Sequence, residues 1–337
     1  MRFEKMITVV DSHTEGMPMR VVTAGFGAVP GRSMLEKQKY VAEHLDHLRT
    51  LLMDEPRGHL AMNGGVLVPP CDPEADLGIL FIDVQGYLPM CGHGTIAICT
   101  VAIETGLVAP VEPITRITLD TPAGRVVAEA TVEQGRVKAV KFRNVPAFLY
   151  RKDAIVDVPG VGSLMLDIAY GGNFYNILPV EAVGLTVERS NARALIDCGM
   201  RIMDAVREQV HIQHPLEPGI DEIKHTIFTA APHTPEAHAR NAVVIAPGTL
   251  DRSPCGTGTS ARMAQLFTRG QLPLQQDFIN ESIIDSRFTG RLVEQVQLTP
   301  EITGVVPTIE GRAWITGFQQ LVLDPEDPFA AGFELHG

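Results

Sequence analysis

One short motif is written twice in this chain, and that repeat limits the possible folds more than any other feature. Cys91-Gly92-His93-Gly94-Thr95 recurs as Cys255-Gly256-Thr257-Gly258-Thr259. Each copy follows an apolar strand pattern, Ile79 to Ile82 or Val243 to Ile245, and a turn containing Gly86 or Gly248. Pro89 or Pro254 stands just ahead of the cysteine. From cysteine to the next helix-stopping glycine is 15 residues in both copies, Cys91 to Gly106 and Cys255 to Gly270. Gly124-Arg125 and Gly290-Arg291 then open similar strands. A glycine turn met twice by chance would not carry matched flanks, so the chain reads as two lobes of one ancestral design. Its 337 residues are enough for about two domains, each with a sizeable core.

Between the motifs, Leu77 to Asp83, Arg116 to Leu119 and the alternating Arg136 to Phe142 read as strands, while Met34 to Leu52 and Asn191 to Val210 are the longest helical patterns. No even series of βαβ units is present, which argues against a doubly wound sheet or a (β/α)₈ barrel. The expected class is α+β, with strand-rich lobes each built around a helix. Lys and Arg number 28 against 40 Asp and Glu, a net charge of -12 that repels phosphate backbones and anionic membranes. Neither nucleic acid nor a membrane is an expected partner. The opening MRFEKMITVVDSH has no apolar core of a signal segment, so a soluble cytoplasmic protein is expected. Five cysteines, an odd number without a CxxC pair, argue against a disulfide framework and a zinc cluster.

Each repeated cysteine precedes a sequence that can continue as helix. At a helix N-terminus the unpaired amides and the positive end of the dipole favour a thiolate, which predicts a lowered thiol pKa. The glycines clear the approach to those amides, so Gly92-His93 and Gly256-Thr257 can grip a carboxylate. Two thiols around one anion suit proton exchange at a carbon next to a carboxylate. Inverting that carbon needs a base on one face and an acid on the other. Neither a metal nor another cofactor is required. A phosphatase loop is a poorer fit, because six residues separate Cys255 from Arg262 and no arginine follows Cys91 at that spacing. Single-cysteine hydrolysis leaves the second motif unexplained, and Cys91 with His93 lacks further metal ligands. Cys71, Cys99 and Cys198 read as small buried apolar side chains.

These residues resemble the proline racemase family, whose two signatures stand here as Met90-Cys91-Gly92-His93-Gly94 and Asp251-Arg252-Ser253-Pro254-Cys255-Gly256-Thr257-Gly258-Thr259. The resemblance also covers Asp11-Ser12-His13-Thr14, Glu55-Pro56-Arg57-Gly58-His59, Asn144 to Phe148, Gly171-Gly172 and Ile315 to Phe318. It implies a diaminopimelate-epimerase-like fold of two pseudo-symmetric lobes with the site in the cleft, no cofactor, and a homodimer. The implied lobes are residues 1–140, carrying Cys91 and rejoined by 318–337, and residues 141–317, carrying Cys255.

By the same resemblance Cys91 and Cys255 are the catalytic thiols. Gly92, His93, Gly256 and Thr257 hold the substrate carboxylate, and Asp251 pairs with the ring ammonium. Related dehydratases acting on 3-hydroxyproline carry Ser or Thr at one of the two cysteine positions, so this chain falls on the racemase or epimerase side. Proline racemases of the family have Phe where this chain has Asn63 and Ile245, and an apolar residue where it has His225. Polar groups there suit a ring hydroxyl, which makes 4-hydroxyproline 2-epimerisation the expected activity. Proline racemisation and conversion of 3-hydroxyproline are the alternatives. Met17 stands where the family usually has Glu.

Overall fold

The computed structural model of the chain describes residues 3–334. It comprises two compact units, Met1–Phe142 with Gly311–Gly337 and Arg143–Glu310. The first unit holds β1 (Lys5–Thr14), β2 (Met17–Ala24), β3 (Asn63–Val68), β4 (Leu77–Asp83), β5 (Gly86–Leu88), β6 (Ile114–Thr121), β7 (Gly124–Glu133), β8 (Arg136–Arg143) and the last strand, β18 (Ala313–Leu323). Its helices are α1 (Met34–His44), α2 (Asp46–Met53) and α3 (Gly92–Glu104). The second unit holds β9 (Phe148–Val158), β10 (Gly162–Tyr170), β11 (Phe174–Pro179), β12 (Ile223–Ala230), β13 (Ala239–Ile245), β14 (Thr249–Leu250), β15 (Asp277–Glu281), β16 (Arg287–Gln297) and β17 (Thr303–Gly311). Its helices are α4 (Ala192–Gln209) and α5 (Gly256–Thr268).

Strand order is the same in both units. The first runs β18-β1-β2-β3-β4-β6-β7-β8, with β5 folded back on β4. The second runs β9-β10-β11-β12-β13-β15-β16-β17, with β14 folded back on β13. Parallel pairs fall at matching places, β2 with β3 and β4 with β6 in one unit, β11 with β12 and β13 with β15 in the other. A parallel pair needs a crossover. Helices α1 and α2 supply the first crossover of unit one and α4 that of unit two, while α3 and α5 supply the second. The end of the chain returns because β1 would otherwise be an open edge: β18 takes the place in the first unit that β9 holds in the second.

The repeat read from sequence has matching backbone. Gly86 and Gly248 turn β4 and β13 back at φ 141° and 144°, a region closed to L side chains. Gly106 and Gly270, at φ 78° and 71°, end helices of 13 residues each. Every residue of α3 from Gly92 to Ile103 is buried, as expected of a helix apolar on all sides. Helix α5 is buried over its first two turns apart from Arg262.

Two expectations are corrected. The helix read from Met34 to Leu52 is broken at Leu45, whose φ of -130° and ψ of 14° leave the helical region. The chain restarts at Asp46, whose carboxylate receives both Arg49 and the Tyr87 hydroxyl. Gly124 and Gly290 are not equivalent either. Gly124 is a positive-φ turn residue opening β7, whereas Gly290 lies within β16, where an added Cβ would stand 2.6 Å from the Met263 side chain. Met17 is buried at the start of β2, where a glutamate would place a charge away from water. Among the described residues no helix is long and apolar enough to cross a membrane.

Candidate active site

In the first unit Cys91 is the N-cap of α3, with extended backbone at φ -139° and ψ 116°. The Thr95 amide and hydroxyl both donate to the Cys91 carbonyl, each at 2.9 Å. That is the first helical bond, so the amides of Gly92, His93 and Gly94 stand ahead of it at the positive end of the helix. The Thr14 hydroxyl donates to the His93 carbonyl at 2.8 Å and fixes this end of α3 to β1. The His93 ring is turned to the thiol, with Nδ1 3.4 Å and Nε2 3.8 Å from Cys91 Sγ. The second glycine of the motif makes room for the sulfur: a Cβ on Gly94 would meet Cys91 Sγ at 3.1 Å and Phe81 at 3.0 Å. Asn63 opens β3, half-buried, with its amide donating to the Ala61 carbonyl at 3.2 Å.

In the second unit Cys255 is the N-cap of α5, but at φ 66° and ψ 111°. Left-handed backbone at a residue other than glycine costs about 1–3 kcal/mol and persists only where its surroundings enforce it. A chain of hydrogen bonds does so. Asp251 Oδ1 accepts from the Ser253 amide and hydroxyl, both at 2.8 Å, and Ser253 Oγ accepts from the Cys255 amide at 3.1 Å. Asn241 donates to the Pro254 carbonyl at 3.0 Å. Asp251 is therefore a turn residue, and its second oxygen takes part in neither Ser253 bond. Cys255 Sγ accepts from the Gly258 amide at 3.4 Å and lies 3.3 Å from Tyr175 Oη. A Cβ on Gly258 would meet that sulfur at 3.1 Å, as Gly94 would meet Cys91. Gly171, in the turn after β10, lies tight against the first turn of α5.

Helix position alone predicts an easily ionised thiol, and at Cys255 this is wrong. Burial, followed by the charge of Asp251, pushes the Cys255 thiol up to about 12, against the opposing pull of Tyr175, the Gly258 amide and Thr257. Cys255 belongs to one buried cluster with Ala169, Tyr175, Ile177, Ile227, Val243 and Ala261, mostly apolar surroundings that solvate charge poorly. Cys255 thus carries its proton at neutral pH. Of the three cysteines outside the repeated motif only Cys99 is buried, its thiol likewise raised to about 12; Cys71 and Cys198 are half-exposed rather than buried.

His225 lies on β12 opposite Ile245 of β13, its ring tilted against that of Tyr175 at 4.6 Å between centroids. Burial, with Lys224 second, lowers its pKa to about 4, against a backbone hydrogen bond to Phe174. The imidazole is neutral at physiological pH. Its Nδ1 is buried without a partner, and it is an acceptor in the tautomer that carries the ring proton on Nε2. Sequence reasoning missed Tyr175 and Ser253. Only the adjoining Gly171-Gly172 hinted that β11 starts against the site.

A family model described as proline racemase matches residues 9–334. The 4-hydroxyproline 2-epimerase of Streptosporangium roseum is 56% identical over 335 residues, covering 99% of this chain and 100% of that protein. The proline racemase of Clostridioides difficile is 45% identical over the same coverage. Among solved structures, a hydroxyproline epimerase from Agrobacterium vitis with bound trans-4-OH-L-proline superposes with a TM-score of 0.93 at 33% identity, covering 99% of this chain and 96% of that one. A PhzF-family protein from Bacillus anthracis shares the fold alone, with a TM-score of 0.61 at 15% identity over 94% and 98% of the two chains. Fold and relatives together define an isomerase of the racemase and epimerase class with a diaminopimelate-epimerase-like architecture. The chain belongs to the proline racemase family.

Proposed function

We propose that this chain inverts the Cα of 4-hydroxyproline, interconverting trans-4-hydroxy-L-proline and cis-4-hydroxy-D-proline with Cys91 and Cys255 as its two bases. One sulfur, as thiolate, takes the Cα proton. The electron pair left at Cα delocalises into the substrate carboxylate, and the other sulfur, as thiol, returns a proton to the opposite face. The enzyme finishes with the two protonation states exchanged, ready for the reverse reaction. A Cys255 that holds its proton at neutral pH fits the acid of this pair, and His93 beside Cys91 can steady a thiolate there. The amides of Gly92, His93, Gly256 and Thr257 bind the carboxylate as charge builds on it. The second oxygen of Asp251 receives the ring ammonium.

The observation that carries the substrate choice is the buried, partnerless Nδ1 of His225. A ring hydroxyl donates to it, and proline leaves it unsatisfied. The higher identity to a 4-hydroxyproline 2-epimerase than to a proline racemase supports the same choice, as does the hydroxyproline bound to the Agrobacterium vitis protein. Asn63 adds a second polar group for the hydroxyl.

The preference for 4-hydroxyproline over proline in kcat/KM is expected to be worth about 1–3 kcal/mol, the penalty for a buried polar group left unpaired. His225→Val with Asn63→Phe should shift it toward proline, mainly through loss of hydroxyproline turnover. Parallel assays with proline, 4-hydroxyproline and 3-hydroxyproline check this. Faster racemisation of proline by the unmodified chain would remove the substrate assignment and leave the family activity standing.

A further inference from the structure

Three side chains on one side of Cys255 form a graded series of donors. Asn173 Nδ2, which can only donate, lies 3.5 Å from Thr257 Oγ1. Thr257 Oγ1 lies 2.5 Å from Tyr175 Oη, and Tyr175 Oη lies 3.3 Å from Cys255 Sγ. Tyr175 is fully buried, and burial, then Cys255 itself, holds its phenol well above the ordinary range. The phenol keeps its proton and serves as a donor rather than a base. The ionisable groups around the sulfur are Asp251 ahead of α5 and Tyr175 on β11, with the neutral His225 ring of β12 against Tyr175.

The geometry points to Tyr175 as a positioning residue that turns its hydroxyl proton onto Cys255 when the sulfur is a thiolate and onto Thr257 when the sulfur is a thiol. In the thiolate state the side-chain relay runs one way, from Asn173 to Thr257 to Tyr175 to sulfur, beside the direct Gly258 amide bond and the 3.8 Å approach of Thr257 Oγ1 to the sulfur. In the thiol state Cys255 needs no donor, and Tyr175 gives its proton to Thr257 Oγ1. One hydroxyl therefore serves both protonation states without moving a heavy atom. The charged state gains most, since hydrogen bonds to ionised groups are the stronger ones. This inference rests on the reading of Cys255 as one of the two bases, and it explains how a sulfur so deeply buried beside Asp251 can be ionised during turnover.

The test is Tyr175→Phe in the full chain, which keeps the ring against His225 and removes only the hydroxyl. Alkylation of Cys255 and Cys91 by iodoacetamide is followed separately by peptide mass spectrometry between about pH 7 and pH 9, since only the thiolate reacts. The Cys255 rate constant should fall about tenfold or more across this range, the loss of one charge-assisted hydrogen bond. The Cys91 rate should be unchanged, and kcat should fall with KM nearly constant because Tyr175 touches the sulfur rather than the substrate. Thr257→Val, with Tyr175 retained, should lower the Cys255 rate by a smaller factor and provides the second variant. An unaltered Cys255 rate in Tyr175→Phe, or equal changes at both cysteines, overturns the inference. Alkylation does not depend on turnover, so a Cys255→Ser protein that still epimerises would remove the underlying mechanism while leaving the alkylation result to be judged by itself.

Discussion

Replacing either Cys91 or Cys255 with serine is expected to lower epimerisation by about a thousandfold or more, to the limit of detection. The substitution is nearly isosteric, so the fold should survive. Serine can occupy the N-cap of α3 and of α5 at least as well as cysteine does. What it cannot do is exchange a proton with Cα, because a hydroxyl is a far weaker acid than a thiol and its oxyanion is not accessible near neutral pH. Each enzyme form needs one sulfur charged and one protonated, so loss of either stops inversion in both directions. The two variants should therefore be equally inactive on the L and the D epimer. Polarimetry or chiral chromatography with matched circular dichroism checks this, and near-normal turnover in either variant would remove the two-base mechanism.

The second large effect is expected at Gly171, which touches no substrate in this account. A Cβ there would stand 2.3 Å from the Thr257 carbonyl oxygen and 2.4 Å from the Ala261 amide nitrogen, both main-chain atoms of α5. Nothing flexible can yield, so Gly171→Ala must push β11 and the first turn of α5 apart. Asn144, which donates to the Gly171 carbonyl at 2.8 Å and to Ser260 Oγ at 2.9 Å, would be pulled with them. Overpacking of this kind costs about 1–3 kcal/mol and should lower Tm by several degrees. Activity should fall further, about a hundredfold, because a misplacement of about 1 Å at a reacting group is enough for that loss. Gly219→Ala is the control, since a Cβ there meets nothing within 4 Å and its φ is ordinary. Unchanged Tm and turnover in Gly171→Ala would show that the helix start tolerates displacement.

The repeat made much of the fold legible because it rests on residues whose backbone demands are local. Gly86 and Gly248, Gly106 and Gly270 occupy matching conformations, and the apolar run from Leu77 to Asp83 is β4. The break at Leu45 was hidden because the apolar spacing continues through it. What divides α1 from α2 is the pull of Arg49 and Tyr87 on Asp46, and Tyr87 lies far along the chain. Within the site, the helix-start placement of both cysteines could be read from the glycines that follow them. The left-handed backbone of Cys255 could not, because the Asp251 and Ser253 bonds that hold it look like an ordinary turn in sequence. Nor could its thiol's raised pKa, which comes first from burial among neighbours on β10 to β13 that the motif does not contain, and only then from Asp251. Tyr175 reaches the sulfur from 80 residues away as one aromatic in an apolar strand, with nothing in its spacing to mark it.

The central claim is that two different sulfurs handle the two faces of Cα. Early-turnover isotope exchange in D₂O tests it most directly, with trans-4-hydroxy-L-proline as substrate and NMR reading the Cα position of product and of recovered substrate. With two bases the returned proton comes from a sulfur already equilibrated with solvent, so product should carry deuterium at Cα from the first turnovers while recovered substrate retains its hydrogen. Product that keeps the original hydrogen, or substrate that gains deuterium as fast as product, would mean that a single base serves both faces and would contradict the account.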